Sequence, residues 1–589
     1  MLRRRLGLLS VIVLVLAAPA LSSQPRRPPL TTADIDAITK LLMLEDTRVF
    51  DPGVISGYLK SSHPEVRRRA ALAIGRIGYP RPRATDAQTT VTNQARTLLA
   101  TARGDADVEV AATVVFSTGQ LKDSDGVGWL GELLMASSTP PEVAREAACS
   151  LGKIRSPEAR VALAKYLAAA PATAAAAPVV GEALLSAGRF TGPDDLAPII
   201  KWSTAKDVEV RWRATWALYR LRDPAAAETL RRLSSDPAPE VRFWAVRGLG
   251  VIAPPAAAPG AAAPAAPPPA PVSPEIKIRQ AARLREAVRD SDRRVRTEAL
   301  RALATYEDDA SFEVVLSMLD SPETWLSVSA AEALGRYPTH KDTIVPKLVA
   351  AADPTRPTAL RVTALTPLAA LAPDAAKEAA TALAQSPSQD ARTAAQRTLQ
   401  RIEAAANPAA DAGARGRGGA PGAGRGAARP EPPKLSEEDY RRIVERWIVP
   451  DYNGAPKPHA IWTTPKGEIE LELYPGDSPL GTEYFVHEVE SGDIVGTEFG
   501  RVVPNFVAQQ DGIKNALTLR DEVNRRGLTR GNLSWASAGL DTGRPGYTLG
   551  NTAQPHNEGD FTSLGRVVRG MDVVDRLELG DAVTAAKMR

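Results

Sequence analysis

Few residues in this sequence have types and spacing suited to metal, redox or nucleophilic chemistry. The single cysteine, Cys149, allows no intramolecular disulfide. Arg501 lies in a run at 499–509 that also holds aromatic and amide side chains. A lone arginine in a strand is most often solvated or ion-paired, so the elements around it must decide its role. The histidines are scattered without zinc-site spacing, at His63, His340, His459, His487 and His556.

The segment that contains Arg501 has the pattern of short β-strands. Ile469, Leu471 and Leu473 alternate with glutamates, as in a half-buried strand. A helix-like stretch follows at 480–490. About 130 residues of short strands with one or two helices predict a closed barrel with flanking helices. Further apolar, β-rich runs lie at 499–509, 532–538 and 563–568.

The order of motifs in this segment resembles a cyclophilin over about residues 458–580. The resemblance implies a cyclophilin-like domain at 458–585, without a cofactor or a metal. The matching stretches are GEIELELY at 467–474, Pro479, YFV at 484–486, FGRVVPNFVAQ at 499–509, GNLSWASAG at 531–539, QPHNEG at 554–559 and LGRVVRGMDVVD at 564–575.

Cyclophilins are peptidyl-prolyl cis-trans isomerases, and the resemblance implies a role for each matching position. The barrier is amide resonance of about 18–20 kcal/mol, so the enzyme must bind the twisted amide more tightly than the planar one. Arg501 would be the catalytic arginine that donates to the proline nitrogen, and Gln509 would hold the substrate carbonyl side. The implied substrate-binding residues are Phe506 and Val507 at the floor of the proline pocket, Ala536 and Ser537 along the substrate backbone, and Thr548, His556, Asn557 and Phe561 at the remaining pocket positions.

Several positions depart from the family pattern. A pocket phenylalanine of the family is Thr548 here, a leucine is Asn557, and the histidine that closes the site is Phe561. The tryptophan linked to cyclosporin binding is His556, and the usual glycine pair at 510–511 is Gln-Asp. Because the polar replacements bury less of a proline ring, we expect weak isomerase activity and poor cyclosporin sensitivity.

Most of the chain before this segment is a helical repeat. Apolar anchors recur mostly at intervals of about 31–36 residues, the length of a helical pair. Small or apolar residues four and eight positions after an anchor share its helix face. The anchors are Val66, Val110, Val143, Val179, Val210, Val241, Val295, Leu326, Leu360 and Ala391.

These repeats resemble HEAT-like repeats over roughly residues 31–403. The resemblance implies an all-α solenoid that binds proteins along a curved surface, with the related repeats of bilin lyases as a distant alternative. Cys149, two residues after a packing alanine, is predicted to be a small buried residue. Helix packing is also the favoured role of the array tryptophans, with a partner surface as the alternative: Trp202, Trp212, Trp216, Trp244 and Trp325.

The prolines, 49 in 589 residues, mark boundaries as well as helix starts. A run of alanine, proline and glycine predicts a semi-rigid spacer that splits the solenoid. An arginine-glycine tract at 413–419 is interpreted as a flexible linker rather than an RNA contact. The predicted organisation is a signal peptide at 1–20, repeats at 31–252, a linker at 253–274, repeats at 275–403, a linker at 404–434, a connecting helix and turn at 435–457, and the cyclophilin-like domain.

The N-terminus has the pattern of a secretory signal peptide. Arginines at 3–5 precede an apolar run at 6–16 and an Ala-Pro-Ala cleavage candidate at 18–20. The apolar run is shorter than the ~20 residues of a membrane span, although an uncleaved anchor is the alternative. We therefore expect an exported protein, periplasmic or extracellular, with no membrane span after cleavage.

Three functional classes remain open at this point. Arg501, Phe506 and Gln509 favour an exported prolyl isomerase that helps proteins fold, with the array recruiting clients. The alternatives are a non-catalytic scaffold whose cyclophilin module only binds proline-containing segments, and a purely structural envelope protein. Expected partners are proline-containing polypeptides and proteins bound along the array. The balance of 73 basic against 69 acidic residues argues against a nucleic-acid partner.

Overall fold

A helical array precedes an eight-stranded barrel in this protein. The predicted signal peptide, most of both predicted linkers and Ala538 lie outside the residues that the structure describes. The computed structural model describes residues 27–81, 84–190, 195–250, 272–406, 434–513, 518–537 and 539–589.

The array pairs outer helices with inner helices that carry the anchors. The inner helices stack directly on one another along the chain. In chain order the helices are α1 (Thr32–Thr47), α2 (Pro52–Leu59), α3 (Pro64–Ile77), α4 (Asp86–Ala100), α5 (Val108–Gln120), α6 (Val127–Met135), α7 (Pro141–Ile154), α8 (Pro157–Ala169), α9 (Ala177–Ala187), α10 (Ala197–Ile200), α11 (Val208–Leu221), α12 (Ala227–Leu233), α13 (Pro239–Gly248), α14 (Pro274–Ala287), α15 (Arg293–Leu303), α16 (Asp309–Ser317), α17 (Thr324–Leu334), α18 (Lys341–Ala351), α19 (Thr358–Leu371), α20 (Pro373–Leu383) and α21 (Gln389–Ala406).

The repeat pattern explains both the starts and the packing of the inner helices. Asp107 and Asp207 accept backbone amide hydrogens at the starts of α5 and α11, which satisfies donors that a helix leaves free. All ten anchors are buried. Gly119 and Gly152 lie so close to serines of the next inner helix that an added Cβ would come within 2.5 and 2.6 Å of their side chains. The spacing therefore predicted the core of the array correctly.

The predicted linker does not separate the inner helices on its two sides. Helix α13 packs directly on α15. Arg242 and Asp290 form an ion pair at 2.8 Å, and Arg294 and Glu240 form another at 2.7 Å. The blocks predicted at 31–252 and 275–403 are thus one continuous array. The last array helix extends to Ala406, three residues past the predicted boundary at 403.

The tryptophans and the cysteine of the array have different environments. All five tryptophans are at most 6% exposed, which confirms helix packing. Cys149 is partly buried and its sulfur lies with carboxylate oxygens of Glu182 and Glu558, so the prediction of a helix-packing role was wrong. The physical reason is its position six residues after the anchor Val143, which turns its side chain away from the helix-packing face.

The connecting segment joins the array to the barrel as a packed helix. It comprises α22 (Glu437–Ile443), a π-helical turn at Val444–Ile448 and α23 (Val449–Tyr452). Tyr440 and Ile443 pack with Ile38 of α1 and with Leu480 of the barrel. The Tyr440 hydroxyl donates to Asp46 at 2.6 Å. None of the helices in the described ranges is long and apolar enough to cross a membrane.

The barrel is antiparallel and has the strand order β3-β4-β6-β5-β7-β2-β1-β8. Backbone bonds between residues 496–499 and 580–583 join the two ends, as expected for a closed barrel. Trp462, Phe485, Trp535 and Tyr547 lie in its core. The strands are β1 (His459–Thr464), β2 (Gly467–Leu473), β3 (Glu498–Val503), β4 (Val507–Asp511), β5 (Asn532–Ala536), β6 (Arg544–Gly550), β7 (Ser563–Arg569) and β8 (Ala585–Met588), with helices α24 (Pro479–Glu490) and α25 (Met571–Val574).

Candidate functional site

Four polar side chains lie side by side across four neighbouring strands of the barrel. Arg501 on β3 is directly opposite Gln509 on β4, and Gln509 is opposite Thr548 on β6. Thr548 is in turn opposite Ser534 on β5. Directly opposite residues of paired strands project from the same face of a sheet, whereas Ala508 faces the core. We call Arg501, Gln509, Thr548 and Ser534 the polar row.

The amide of Gln509 has a defined orientation within the polar row. Its Nε2 donates to the Asp511 carboxylate oxygens at 3.0 and 3.3 Å. Its Oε1 accepts from Nη1 of Arg501 at 3.4 Å. One amide hydrogen can serve Asp511 while the other remains for a substrate carbonyl. Asp511 is one of the departures from the family pattern, and it orients a predicted substrate-binding group.

Phe506 lies beside Arg501 in the turn between β3 and β4. The turn places Asn505 at a φ of 57°, and the Phe506 amide donates to the Val503 carbonyl oxygen at 3.1 Å. The Arg501 guanidinium carbon is 5.5 Å from the centroid of the Phe506 ring. A donor and an apolar surface therefore face the same space.

Residues 551–561, which we call the wall loop, close one side of this space. The backbone N–H of Asn551 and the side-chain amide of Gln554 both donate to the Phe506 carbonyl oxygen, at 3.0 and 3.2 Å. Asn557 donates to the Gln554 Oε1 at 2.9 Å. These bonds connect the wall loop to the turn that carries Phe506.

The remaining candidate residues lie around the same space with different contacts. Val507 is buried and, two residues before Gln509, shares the face of the polar row. Ala536 is buried at the end of β5. Ser537 donates to the Gly539 carbonyl oxygen at 2.9 Å, so its hydroxyl bonds within its own loop. Phe561 is half-buried at the end of the wall loop.

One face of the inner helices contacts the barrel. Within the described residues it comprises those six and ten positions after the anchors from Val66 to Val295, and we call it the inner face. Leu72 and Phe116 of this face pack against Val523. Arg76 donates to the carbonyl oxygens of Val523 and Glu522 at 3.0 and 3.1 Å. Much of the surface expected to bind partner proteins is therefore occupied by the chain's own barrel.

The later repeats contact the turn that holds Phe506. Arg301 donates to the Pro504 carbonyl oxygen at 3.2 Å. The side-chain amide of Asn505 donates to the Arg294 carbonyl oxygen at 2.9 Å and to the Glu298 carboxylate at 3.3 Å. The array thus fixes the turn immediately before the predicted floor of the proline pocket.

An ion pair connects the wall loop to the array. Arg189 and Glu558 are joined at 2.8 Å, with side chains only 2% and 12% exposed. Burial and the nearby Glu182 carboxylate raise the pKa of Glu558 to about 7, although Arg189 acts in the opposite direction. Burial and nearby array guanidiniums lower the pKa of His556 to about 4, so His556 is neutral near pH 7.

A cluster beside this ion pair offers groups that can ligate a metal. The Cys149 sulfur and one carboxylate oxygen each from Glu182 and Glu558 lie within 4.8 Å of one another. However, burial raises the pKa of the Cys149 thiol well above its usual range, and a metal requires the thiolate. Arg189 already supplies positive charge to Glu558. The cluster therefore fits an ion-paired contact between array and barrel better than a metal centre.

The arrangement is suited to binding a twisted amide without covalent chemistry. In the twisted state the proline nitrogen regains its lone pair, and a fixed guanidinium can donate to it without proton transfer. Arg501 is exposed, so a peptide has access to it from solvent. Phe506 supplies an apolar surface, and the Gln509 amide supplies a donor on the neighbouring strand.

Sequence reasoning did not find the residues that support the site from outside it. Arg189 and Glu298 each bond to a residue next to a candidate site position, and Gln554 bonds to Phe506 itself. One signal was available, because Arg76, Arg189 and Arg220 all lie ten residues after an anchor. A cation repeated at that spacing indicates a functional helix face, although spacing alone does not identify its partner.

Comparison with known proteins identifies both regions. Residues 460–588 match the family model described as cyclophilin type peptidyl-prolyl cis-trans isomerase/CLD. Residues 95–180 and 196–263 match HEAT repeats. A peptidyl-prolyl cis-trans isomerase of Helicobacter pylori is 32% identical over 150 residues, which are 24% of this chain and 92% of that protein. Peptidyl-prolyl cis-trans isomerase B of Bacillus subtilis is 30% identical over 129 residues, 20% of this chain and 90% of the relative.

Proposed function

Because this chain belongs to the cyclophilin-type peptidyl-prolyl cis-trans isomerases through its C-terminal domain, we propose that it catalyses cis-trans exchange of X-Pro bonds in polypeptides. The observation that supports this proposal most directly is the position of Arg501 between Gln509 and the Phe506 ring. The donor, the carbonyl-binding amide and the apolar floor then act on one dipeptide unit.

The roles of the individual residues follow from this arrangement. Arg501 donates to the proline nitrogen as the amide twists, and Gln509 binds the substrate carbonyl side. Phe506 and Val507 support the proline ring, and Ala536 and Ser537 pair with the substrate backbone. The outer limits of the pocket are formed by Thr548, His556, Asn557 and Phe561.

We further propose that the array is the second wall of the substrate groove. The inner face binds the turn at Pro504 and the wall loop, while Arg501 stays exposed. A client therefore enters along the open side of the polar row, between barrel and array. This geometry favours flexible proline-containing segments over prolines within folded domains.

The direct test of the activity is to measure cis-trans exchange of an X-Pro peptide in the presence of the full chain. We expect acceleration above the uncatalysed rate, measured by exchange spectroscopy on both isomers. Arg501→Ala should lower kcat/KM by about 10²–10³-fold, the range for removing one donor aimed at a transition state. Arg566→Ala is the matched control, because Arg566 is an exposed strand arginine on β7 paired with Glu472. No acceleration by the unaltered protein would refute the proposal.

A binding-only scaffold remains the second candidate, favoured by the half-buried Thr548 where the resemblance implies an aromatic wall. Less apolar surface weakens the hold on the proline ring, so we also propose that catalysis is slow and cyclosporin binding poor. A scaffold would show chemical-shift changes on peptide binding without faster exchange. A purely structural protein would show neither result.

We propose that the protein is exported and assists protein folding outside the cytoplasm. The support is the basic, apolar and small-residue order of residues 1–20. The measurement is N-terminal sequencing of the protein recovered from its native cells. A mature chain that starts near residue 21 is expected, and an intact Met1 on a cytoplasmic chain would contradict export.

A further inference from the structure

A series of polar side chains runs along the inner face toward the wall loop. These residues are ten positions after successive anchors, and most of them contact the barrel directly. Arg76 donates to the Val523 carbonyl oxygen at 3.0 Å, Gln120 donates to the Gly559 carbonyl oxygen at 3.0 Å, and Arg189 pairs with Glu558. The members of the series are Arg76, Gln120, Lys153, Arg189 and Arg220.

Arg220 differs from the arginines that precede it in this series. Among the described residues it has no carboxylate within ion-pair distance, and its buried Nε has no hydrogen-bond partner. The Trp216 ring is 5.8 Å from its guanidinium carbon. Burial and the neighbouring Arg222, Arg247 and Arg155 guanidiniums lower the pKa of Arg220, although Tyr219 acts in the opposite direction. A half-buried guanidinium among other cations lacks the counterion that such a group requires.

The helix series and one chain of bonds place this cationic cluster near the predicted proline pocket, since Arg220 follows Arg189, the partner of Glu558 in the wall loop. The guanidiniums of Arg220 and Arg247 act electrostatically on His556 of the wall loop. Arg247 is also connected to the turn that holds Phe506, because its Nε is 3.4 Å from Glu298 and Glu298 accepts from Asn505 at 3.3 Å. The cluster therefore lies near the wall loop and is connected through Glu298 to the turn that holds Phe506.

The carboxylates near the cluster do not neutralise its positive charge, because they already have other partners. Glu298 is shared between Arg247 and the Asn505 amide. Glu558 is already paired with Arg189, and its raised pKa of about 7 means that it is partly protonated near neutral pH. His556 is neutral there. Among the residues that the structure describes, neither the wall loop nor the array supplies Arg220 with a counterion of its own.

We propose that Arg220 and Arg247 form an anion subsite of the substrate groove, which selects proline segments carrying a carboxylate or phosphate group on a residue near the proline. The proposal rests on the isomerase function proposed above. An aspartate, a glutamate or a phosphorylated side chain would supply the missing counterion through charge-assisted hydrogen bonds. The Trp216 ring, 5.8 Å from the guanidinium carbon, supports the Arg220 side chain, which reduces the conformational freedom that is lost on binding.

The test compares matched peptides on the full-length protein. The peptides share one X-Pro core and carry asparagine, aspartate, serine or phosphoserine at a position flanking the proline. For the unaltered protein we expect kcat/KM about tenfold higher for the aspartate peptide than for the asparagine peptide, and a larger ratio for phosphoserine over serine. In Arg220→Gln both ratios should fall toward one. The preference should also shrink as ionic strength rises.

The controls separate this inference from the isomerase proposal. Arg231→Gln, in an exposed arginine paired with Glu228 on an outer helix, should keep both ratios. Inorganic phosphate should compete with the aspartate peptide in the unaltered protein and less in Arg220→Gln. If exchange is absent, equilibrium binding of the same peptides decides, because an acidic preference that depends on Arg220 still supports the subsite. Equal turnover or equal binding of acidic and neutral peptides would overturn it, even with isomerase activity intact.

Discussion

The strands and the loops around the substrate groove are held in different ways. The polar row is fixed within the barrel, since Arg501, Gln509 and Thr548 are neighbours by strand register. The wall loop is fixed from both sides, because Gln554 bonds to Phe506 within the barrel and Glu558 pairs with Arg189 of the array. A sheet register is set by its own alternating core pattern, whereas a loop takes the position that its contacts give it.

The two domains therefore contribute differently to the proposed function. In the proposed mechanism the barrel alone supplies the groups that act on the X-Pro bond. The array would position the residues beside that bond and add charge next to them. A solitary cyclophilin domain would therefore keep the proposed chemistry but lack the array's influence on which segment enters the groove.

Loss of the ion pair between Arg189 and Glu558 should show most clearly that the array stabilises the wall loop but not the strands of the polar row. In Arg189→Met, Glu558 is left buried without its partner, which costs about 3 kcal/mol of unfolding free energy. The lower end of the usual range applies because Glu558, with a pKa of about 7, can take up a proton. Hydrogen exchange should rise in 551–561 and not in the strands of the polar row.

The matched control for that variant is Arg189→Met combined with Glu558→Gln. Replacing both partners removes the unpaired charge and should restore most of the lost stability. If hydrogen exchange in the wall loop is equally slow in Arg189→Met and in the unaltered protein, the array does not stabilise this loop.

A smaller effect is expected where the loop after β5 contacts the array. Burial opposes ionisation of Asp541, but Arg48 and Arg81 outweigh it and lower its pKa to about 2. Asp541→Asn should therefore cost about 2 kcal/mol of unfolding free energy near neutral pH. Because a lowered pKa stabilises only the ionised form, this difference should shrink as pH falls from about 4 toward 2.

The control for the Asp541→Asn prediction is a second variant measured over the same pH range. Asp572→Asn changes an exposed carboxylate paired with Arg576, and it should leave the unfolding free energy nearly unchanged at every pH. A difference for Asp541→Asn that stays constant down to pH 2 would exclude the proposed linkage.

The smallest expected effect tests the barrel side of the comparison. Thr548→Phe adds an aromatic surface next to Gln509 in the polar row, and greater burial of the proline ring should raise kcat/KM by about tenfold. Thr548→Val, which adds little surface, should change the rate less than threefold. A decrease with unchanged thermal stability would mean that Thr548 does not border the proline pocket.

The sequence predicted most of the array and the order of the barrel from local patterns. The ten anchors are buried because helical periodicity fixes which side chains face the neighbouring helix. The strand around Ile469 and Leu471 follows from its alternation. Cys149 was misjudged because nearness in sequence to a packing alanine does not place a side chain on the same helix face.

The candidate site was only partly accessible from the sequence. The motif at 499–509 placed Arg501, Phe506 and Gln509 on adjacent elements, and the structure brings these side chains together. It did not indicate that Asp511 orients the Gln509 amide. That contact depends on rotamers at the end of one strand, which no residue pattern encodes.

The sequence by itself determined the helical repeat, the barrel motifs and the candidate groups for acting on a proline bond, because these depend on periodicities of a few residues. Tertiary structure alone decided that the array binds the chain's own barrel and that the buried Nε of Arg220 has no hydrogen-bond partner among the described residues. Such contacts join residues hundreds of positions apart, as Arg189 and Glu558 show. Their energy depends on burial and on partners that only the folded chain brings together.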